Sequence, residues 1–522
     1  MLLRSKTSYL IIAGLLSWTL SAAQAGFDNA YLTGSLETNS IGYLNDSGLG
    51  SAGPEDWFGS NNYLKLDYVN GKISSGIQLE AYLPALYGYE IGMQLDSKPF
   101  FLASKYISWT DNNFSVHIGD FYDQIGNGLI FRSYEDRNLG LNNSIEGIKA
   151  SCSLLEGLTI KGMYGRPRLY CSYASSLIRG ADLMLSLDKI FGWDAVVLNF
   201  EGGFVNRYEQ NSMDLLNLNL YSASADFSWK GLTLKGEFAS KGKDFWIPTA
   251  QKAHTGAAVL TEAIYSRKTF SASASFRIID HMGTMLTLDG SGTGNALNYL
   301  PSLTRQYHYM LANLNPYQVD VTGECASQAD VFYTLKSRES RSKYWVFHAN
   351  FSGAWTISPS QCDNGGQRMT WCDANVDAEC HWNKSLKTTF LYSRQQWSPT
   401  HGYEEGSYVS NIFVADALYK FNRKYSLRGE LQFLQSADYE GNWVAGLVEF
   451  GLAPHWNIYA SDMYNAGLTD KHYYNVGASY SKGNTRVQLS YGRNRAGFVC
   501  SGGVCRYSPA YTGINLLLTT SF

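Results

Sequence analysis

The chain closes on Ile514-Asn515-Leu516-Leu517-Leu518-Thr519-Thr520-Ser521-Phe522. Ile514, Leu516, Leu518, Thr520 and Phe522 share one face of an extended segment and Asn515, Leu517, Thr519 and Ser521 the other, because successive strand side chains point to opposite sides. An amphipathic strand with an aromatic carboxy terminus, in a chain that opens on an export signal, predicts an outer-membrane β-barrel with Phe522 as its assembly signal.

At the other end, Arg4 and Lys6 precede the apolar run Tyr9 to Leu20, and Ala23-Gln24-Ala25 supplies the small residues a signal peptidase requires. A run of about 12 residues is too short to cross a bilayer, which takes about 20, so residues 1–25 are expected to be a cleaved signal peptide. No Cys stands at the cleavage site, which argues against a lipoprotein. Beyond residue 25 no apolar stretch is long enough for a spanning helix, so the membrane must be crossed by strands. Strand pattern begins by Ala30, and residues 26–522 are expected to be a single barrel domain without the amino-terminal globular plug of TonB-dependent transporters.

The 37 Tyr, 25 Phe, 13 Trp and 50 Gly, with only 11 Pro and 17% charged residues, suit half-buried strands joined by tight turns. The mean hydropathy is slightly negative because only alternate residues of a barrel strand face lipid. Loss of Arg4 and Lys6 with the signal leaves 40 basic against 45 acidic residues, a balance of −5 that gives no footing for nucleic acid.

Leu64, Leu66 and Tyr68 alternate with Lys65 and Asp67, the Asn70-Gly71 pair supplies a two-residue turn, and Ile73, Ile77, Leu79, Ala81 and Leu83 alternate with Ser74, Gly76, Gln78, Glu80 and Tyr82. The same unit recurs at 111–113, 156–157, 230–231, 267–268, 422–424, 453–455 and 482–484, with longer turns near 189–193, 338–343 and 380–384. Irregular polar stretches at 40–60, 84–100, 122–143, 280–325, 355–368 and 495–509 lie between. Short periplasmic turns on one rim and long extracellular loops on the other predict an all-β, transmembrane antiparallel β-barrel of about 24 strands, within 22 to 26.

Tyr68, Trp109, Phe227, Trp229, Phe421 and Trp456 sit beside short turns, as an interfacial girdle requires. Hairpin aromatics of a soluble sandwich are the plainer reading, against which the even strand count and Phe522 weigh. On the lumen side, Lys235 with Glu237 and Arg428 with Glu430 suggest a wall of mixed sign. The block Gly119 to Gly140 breaks the alternation: its acids and arginines are too dense for a lipid-facing strand. It is expected to fold over or into the mouth, placing Asp120, Asp123, Arg132, Glu135, Asp136 and Arg137 in the lumen or its constriction. The longest candidate filler is 280–325.

This block, with Asn298-Tyr299-Leu300-Pro301, Gln306-Tyr307-His308-Tyr309, Asn315-Pro316-Tyr317, Tyr419 to Lys424, Gly441-Asn442-Trp443, Ala453-Pro454-His455-Trp456 and Cys500 to Tyr507, resembles a family of uncharacterised Bacteroidetes outer-membrane barrels known only as a domain of unknown function. The resemblance covers essentially the whole mature chain. It implies a closed barrel in the outer membrane and brings no activity with it.

Eight cysteines suit an oxidising compartment. Cys500 and Cys505, five residues apart in a Gly-rich loop, are expected to be disulfide-bonded. Pairing among Cys152, Cys171, Cys325, Cys362, Cys372 and Cys380 stays open. No Cys/His spacing makes a metal site, even with His381 beside Cys380, and no cofactor is expected. An enzyme would need a His with a Ser or Asp partner on adjacent strands; His117 with Ser115 is the nearest case, and alternation alone produces such pairs. Gly126-Asn127-Gly128 opens no helix and leads to no Lys, so it is not a phosphate loop.

A pore or transport channel narrowed by inward-folded loops is therefore expected, and not an enzyme. The alternative is a non-conducting scaffold that binds a secreted protein or surface lipoprotein in envelope machinery. The partners implied are outer-membrane lipids and the barrel-assembly machinery during insertion.

Overall fold

The computed structural model describes residues 30–50, 53–91, 99–210, 216–245, 252–338, 340, 342–357, 368–404, 406–501 and 504–522. The expected signal peptide, residues 1–25, and Cys362 lie outside them. Among the described residues, 24 antiparallel strands close into one barrel, from Ala30–Leu44 to Tyr511–Ser521. The carboxy-terminal strand seals it: Ser35 to Leu44 lie opposite Ser521 back to Thr512. A short extra segment, Ser172–Tyr173, hangs on the end of Leu158–Leu169.

Each of the tight connections expected from sequence joins consecutive strands. The first lies one residue later than the Asn70-Gly71 pair: Asn70 pairs with Ile73 in the ladder, and the two turn residues are Gly71, at φ 57°, and Lys72. The connection between Leu177–Ser186 and Val196–Tyr208 holds one helical turn, Leu187–Phe191. On the opposite rim the sequence pattern singles out six long connections and does not single out six shorter ones, at 170–176, 209–216, 245–253, 398–407, 436–442 and 466–471.

The two faces are the inverse of a soluble protein's. On Ile73–Tyr82, Ile73, Ile77 and Leu79 are more than 40% exposed, while Gln78, Glu80 and Tyr82 are each 3% exposed. Apolar residues outward and polar residues inward are what a lipid solvent selects. Tyr68, Trp109, Trp229, Phe421 and Trp456 are exposed beside short turns and Phe227 is half-buried. Among the described residues no helix is long and apolar enough to cross a membrane.

Cys500 and Cys505 form a disulfide across the hairpin Gly497–Ser501/Val504–Ser508, with Cα atoms 4.1 Å apart. Cys152 shares the outward face of Ile148, Cys325 that of Val331, and Cys372 and Cys380 that of Val376. Cys325 and Cys372 are separated by the intervening strand Tyr344–Thr356, about 10 Å at normal strand spacing, too far for a bond.

Candidate functional site

Two long loops pack against the inward face of the sheet, and the wall is built to hold them. An irregular segment buried inside a barrel leaves backbone N–H and C=O groups that must find partners. Loop 281–322 finds them in side chains of the wall strands and of the residues just past their ends, Glu209 and Arg495. Arg207 donates to the Met285 carbonyl at 2.6 Å, Lys241 to Gly283 at 2.5 Å, Gln395 to Ala312 at 2.9 Å and Arg495 to Leu314 at 2.7 Å. The Leu311 N–H donates to Gln432 at 2.9 Å and the Leu288 N–H to Glu209 at 3.1 Å.

Apolar residues of the same loop enter separate clusters. Met282, Leu286, Leu297 and Leu300 pack with Ile145, Ile178, Val205, Leu218 and Leu220 of the wall. Tyr309, Leu311 and Leu314 pack with Leu391, Ile412, Leu434 and Trp443, on a distant arc of the closed sheet. Between them Leu303 and Tyr317 pack on Ala326, Ala354 and Trp371. Tyr317 meets the fully buried wall pair Arg277–Glu324: its hydroxyl contacts Glu324, and Arg277 also reaches the Pro301 carbonyl. Burial beside Glu324 raises the Tyr317 hydroxyl well above its ordinary range, so it remains a donor at any physiological pH. Burial beside Asp373 does the same for Tyr307, whose hydroxyl donates to that carboxylate at 2.6 Å. His308, pushed down by burial and by Arg428, is neutral at pH 7.

Loop 122–144 rests on the same wall. Its tip inserts between two wall carboxylates: Gly126 N–H donates to Glu201 at 2.8 Å, and Asn127 donates to Glu237 through its backbone at 2.8 Å and its side chain at 2.7 Å. Gly126 takes φ 54°, a conformation side chains rarely adopt, and a Cβ there would also lie 2.6 Å from the Glu237 carboxylate. The two loops also pair: Arg132 N–H donates to Leu297, Tyr299 N–H donates to Gly128, and the Arg132 guanidinium lies over Tyr299 and Tyr134.

Four of the six charged residues singled out from sequence, Asp123, Arg132, Glu135 and Arg137, stand among these contacts, and Asp136 bonds only within its own loop. Asp123 meets Lys161 at 2.9 Å and Lys149 at 3.4 Å. Arg132 is clamped as above. Glu135 accepts from Gln78 at 2.9 Å and from Arg137 at 2.9 Å, and Arg137 reaches Glu37 at 2.8 Å. Asp136 accepts from the N–H groups of Asn138 and Leu139. Asp120 differs. It stands opposite Glu146 in an unbroken register in which Ile118, two residues before it, is exposed outward and Phe121, next after it, packs inward, so Asp120 has the outward parity. Strand Phe114–Phe121 runs into the block that the sequence pattern reads as loop from Gly119.

Of the two mixed-sign pairs read from sequence, Arg428 with Glu430 is present and Lys235 with Glu237 is not. Lys235 pairs with Glu262 at 3.2 Å, while Glu237 serves Asn127; Arg428 meets both Asp416 at 2.8 Å and Glu430 at 2.7 Å. His117 stacks on Tyr106 at 4.9 Å, and its Nε2 lies 3.0 Å from the Asp120 carbonyl; no His117–Ser115 hydrogen bond is present among the described residues. His254, His348, His381 and His472 also lie on strands. His348 is held between Asp330 and Asp377, 2.9 Å from each. Arg305 of loop 281–322 docks on the same Asp377 at 2.5 Å.

The disulfide hairpin lies over these loops. Arg506 donates to Gly88 at 3.2 Å and Asn138 at 3.3 Å and covers the Tyr89 ring at 4.1 Å. Replacing Cys500 and Cys505 by Ser is expected to cost this hairpin about 2 kcal/mol of local stability. Amide hydrogen exchange should quicken across 497–508 with the barrel strands unchanged, and unaltered exchange would count against that role.

Comparison with known proteins gives one family match: the model of a family described as "Family of unknown function (DUF6029)" matches residues 5–522. None of the curated proteins matches the chain. Among solved structures it is similar to the siderophore receptor PirA from Pseudomonas aeruginosa, at 9% identity and TM-score 0.44, over 94% of this chain and 80% of that one. It is also similar to the P pilus usher PapC translocation pore, at 9% identity and TM-score 0.42, over 94% and 99% of the two chains. A copper transporter, OprC, aligns at 9% identity and TM-score 0.40, over 95% and 81%.

Proposed function

This chain belongs to that family of unknown function, and from that premise we propose an outer-membrane transport barrel whose lumen is narrowed at rest by its own inward-folded loops. The observation that carries the reading is loop 281–322, which contributes Met282 and Leu297 to one apolar cluster and Tyr309 and Leu314 to another on a distant arc of the sheet. Its Leu303 and Tyr317 pack on Ala326, Ala354 and Trp371 in between, so the segment follows the inner wall from one cluster to the other. A barrel of this strand number is wide enough for an aqueous channel when empty, so a segment lining this much of the wall narrows what passes. Wall charges of both signs, paired as in Arg428 with Asp416 and Glu430, favour weak ionic selectivity.

A second reading, the non-conducting scaffold for a secreted protein or surface lipoprotein, is favoured by the buried Arg277–Glu324 pair under Tyr317 and Pro301. Such a foundation suits a permanent filling better than a gate. Planar-bilayer recordings decide between them, on the wild type and on a variant with residues 284–318 replaced by a short Gly-Ser link. Small wild-type steps that become several-fold larger and weakly selective in the variant are expected of the channel. A correctly folded wild type that stays silent while the variant conducts would replace the channel by the scaffold. Equal steps in both would remove the loop from the path and sink both readings.

A further inference from the structure

The outward displacement of Asp120 belongs to a larger arrangement on the lipid side. Ile107, Ile118, Ile148 and Tyr164 form one outward register row, between 45% and 53% exposed. One step nearer the long-loop rim the chemistry changes: Asp120 stands opposite Glu146, Glu146 opposite Arg166, and Lys105 lies beside Asp120. Arg179 stands opposite Tyr164 in the apolar row, diagonal to Arg166, and turns its guanidinium towards the charged level, over the Tyr208 ring. The boundary between these rows is where hydrocarbon gives way to headgroups.

The carboxylates of this cluster are consumed beneath the cations. The Asp120 side chain is 1% exposed and accepts from the Lys105 N–H at 3.0 Å and the Tyr173 hydroxyl at 2.7 Å. Glu146 bridges Lys105 Nζ at 2.6 Å and Arg166 at 2.5 Å. The cations face out: Lys105 is 46% and Arg166 52% exposed. The Tyr173 ring lies among Lys105, Arg166 and Arg168, at 5.3, 5.2 and 4.6 Å. Arg179 is exposed beside the Tyr208 ring, with no carboxylate in ion-pair range among the described residues. With Arg168, four cations stand against two carboxylates. Directly beside Lys105 a groove of about 450 Å³ opens in the lipid-facing surface, lined by Leu32, Leu66, Ile77, Ile107 and Ile118.

We propose that Lys105, Arg166 and Arg179 dock the phosphate of an outer-leaflet lipid, with an acyl chain in the groove below Lys105. Fixed cations on a carboxylate base recognise phosphate by charge-assisted hydrogen bonds, and an anion at this level has its tails in the apolar band. This site is independent of the lumen and of whether the barrel conducts.

Native mass spectrometry of the detergent-solubilised barrel with added diphosphorylated lipid A tests it. The wild type is expected to retain the lipid. Arg179→Gln, which breaks no ion pair, and Arg166→Gln should each bind about tenfold more weakly, the value of one charge-assisted contact. Lipid A stripped of phosphate should bind as weakly as the variants, and millimolar inorganic phosphate should not displace the intact lipid. Wild-type retention by Arg179→Gln, or by the wild type of dephosphorylated lipid, would reduce the site to ordinary boundary lipid. Full displacement by inorganic phosphate would make it an anion site without lipid preference.

Discussion

A barrel carrying Arg277→Met is expected to lose about 3–5 kcal/mol of stability, and loop 281–322 should become its first site of proteolysis. Arg277 and Glu324 are both fully buried on neighbouring strands, and the loop is seated on them through the Pro301 carbonyl, the Tyr317 hydroxyl and the Asp320 N–H. Removing the guanidinium leaves a carboxylate buried without its counter-charge and strips the loop of a donor. The Tyr317 hydroxyl, raised well above its ordinary range, stays protonated and still donates to Glu324, but one neutral donor does not replace the guanidinium charge. Adding Glu324→Gln to Arg277→Met should recover a large part of the loss, because the uncompensated charge is then gone. Denaturant unfolding in detergent with limited proteolysis measures both effects. A single variant as stable and as protease-resistant as the wild type would mean that the pair does not carry the loop.

The strand pattern was legible because each hairpin announces itself locally. Asn70-Gly71 places a turn to within one residue, and the alternation on either side of it fixes which residues face lipid. The presence of inward loops was legible too, from the charge density of 119–140 and the length of 280–325. Their contacts were not. Asn127 and Glu237 are 110 residues apart, Arg137 and Glu37 100, and only the register of the closed sheet brings them together. Nearness in sequence misdirects here, since it pairs Glu237 with Lys235, which instead meets Glu262. Asp120 shows the same limit in another form. A block too charged for a lipid-facing strand reads as loop, yet charge is tolerated on the outward face where the apolar band ends, and the strand runs on through Phe121. His348 eludes a search along the chain because its carboxylates, Asp330 and Asp377, belong to the strands on either side.

Deleting Phe522 is expected to reduce barrel insertion into the outer membrane severely, by removing the last latch of the seam. The closing strands end on a reciprocal pair: Gly34 N–H donates to the Phe522 carbonyl at 2.8 Å, and Phe522 N–H donates to Gly34 at 3.0 Å. The ring lies over Gly34 and against Leu66; a Cβ on Gly34 would come within 2.4 Å of it. Two backbone hydrogen bonds at about 1 kcal/mol each and a ring worth about 2 kcal/mol put roughly 4 kcal/mol into this corner. A closed barrel has no edge to fray, so the whole corner is available only when the first and last strands meet, and its loss falls on the closing step. Gly34→Val separates the seam from any signal the carboxy terminus gives to an assembly partner. It displaces the ring but leaves Phe522 in place, so a defect shared by both variants locates the requirement in closure. A defect of the deletion alone, with Gly34→Val inserted normally, assigns Phe522 to recognition during assembly, and normal insertion of both would remove the residue from either role.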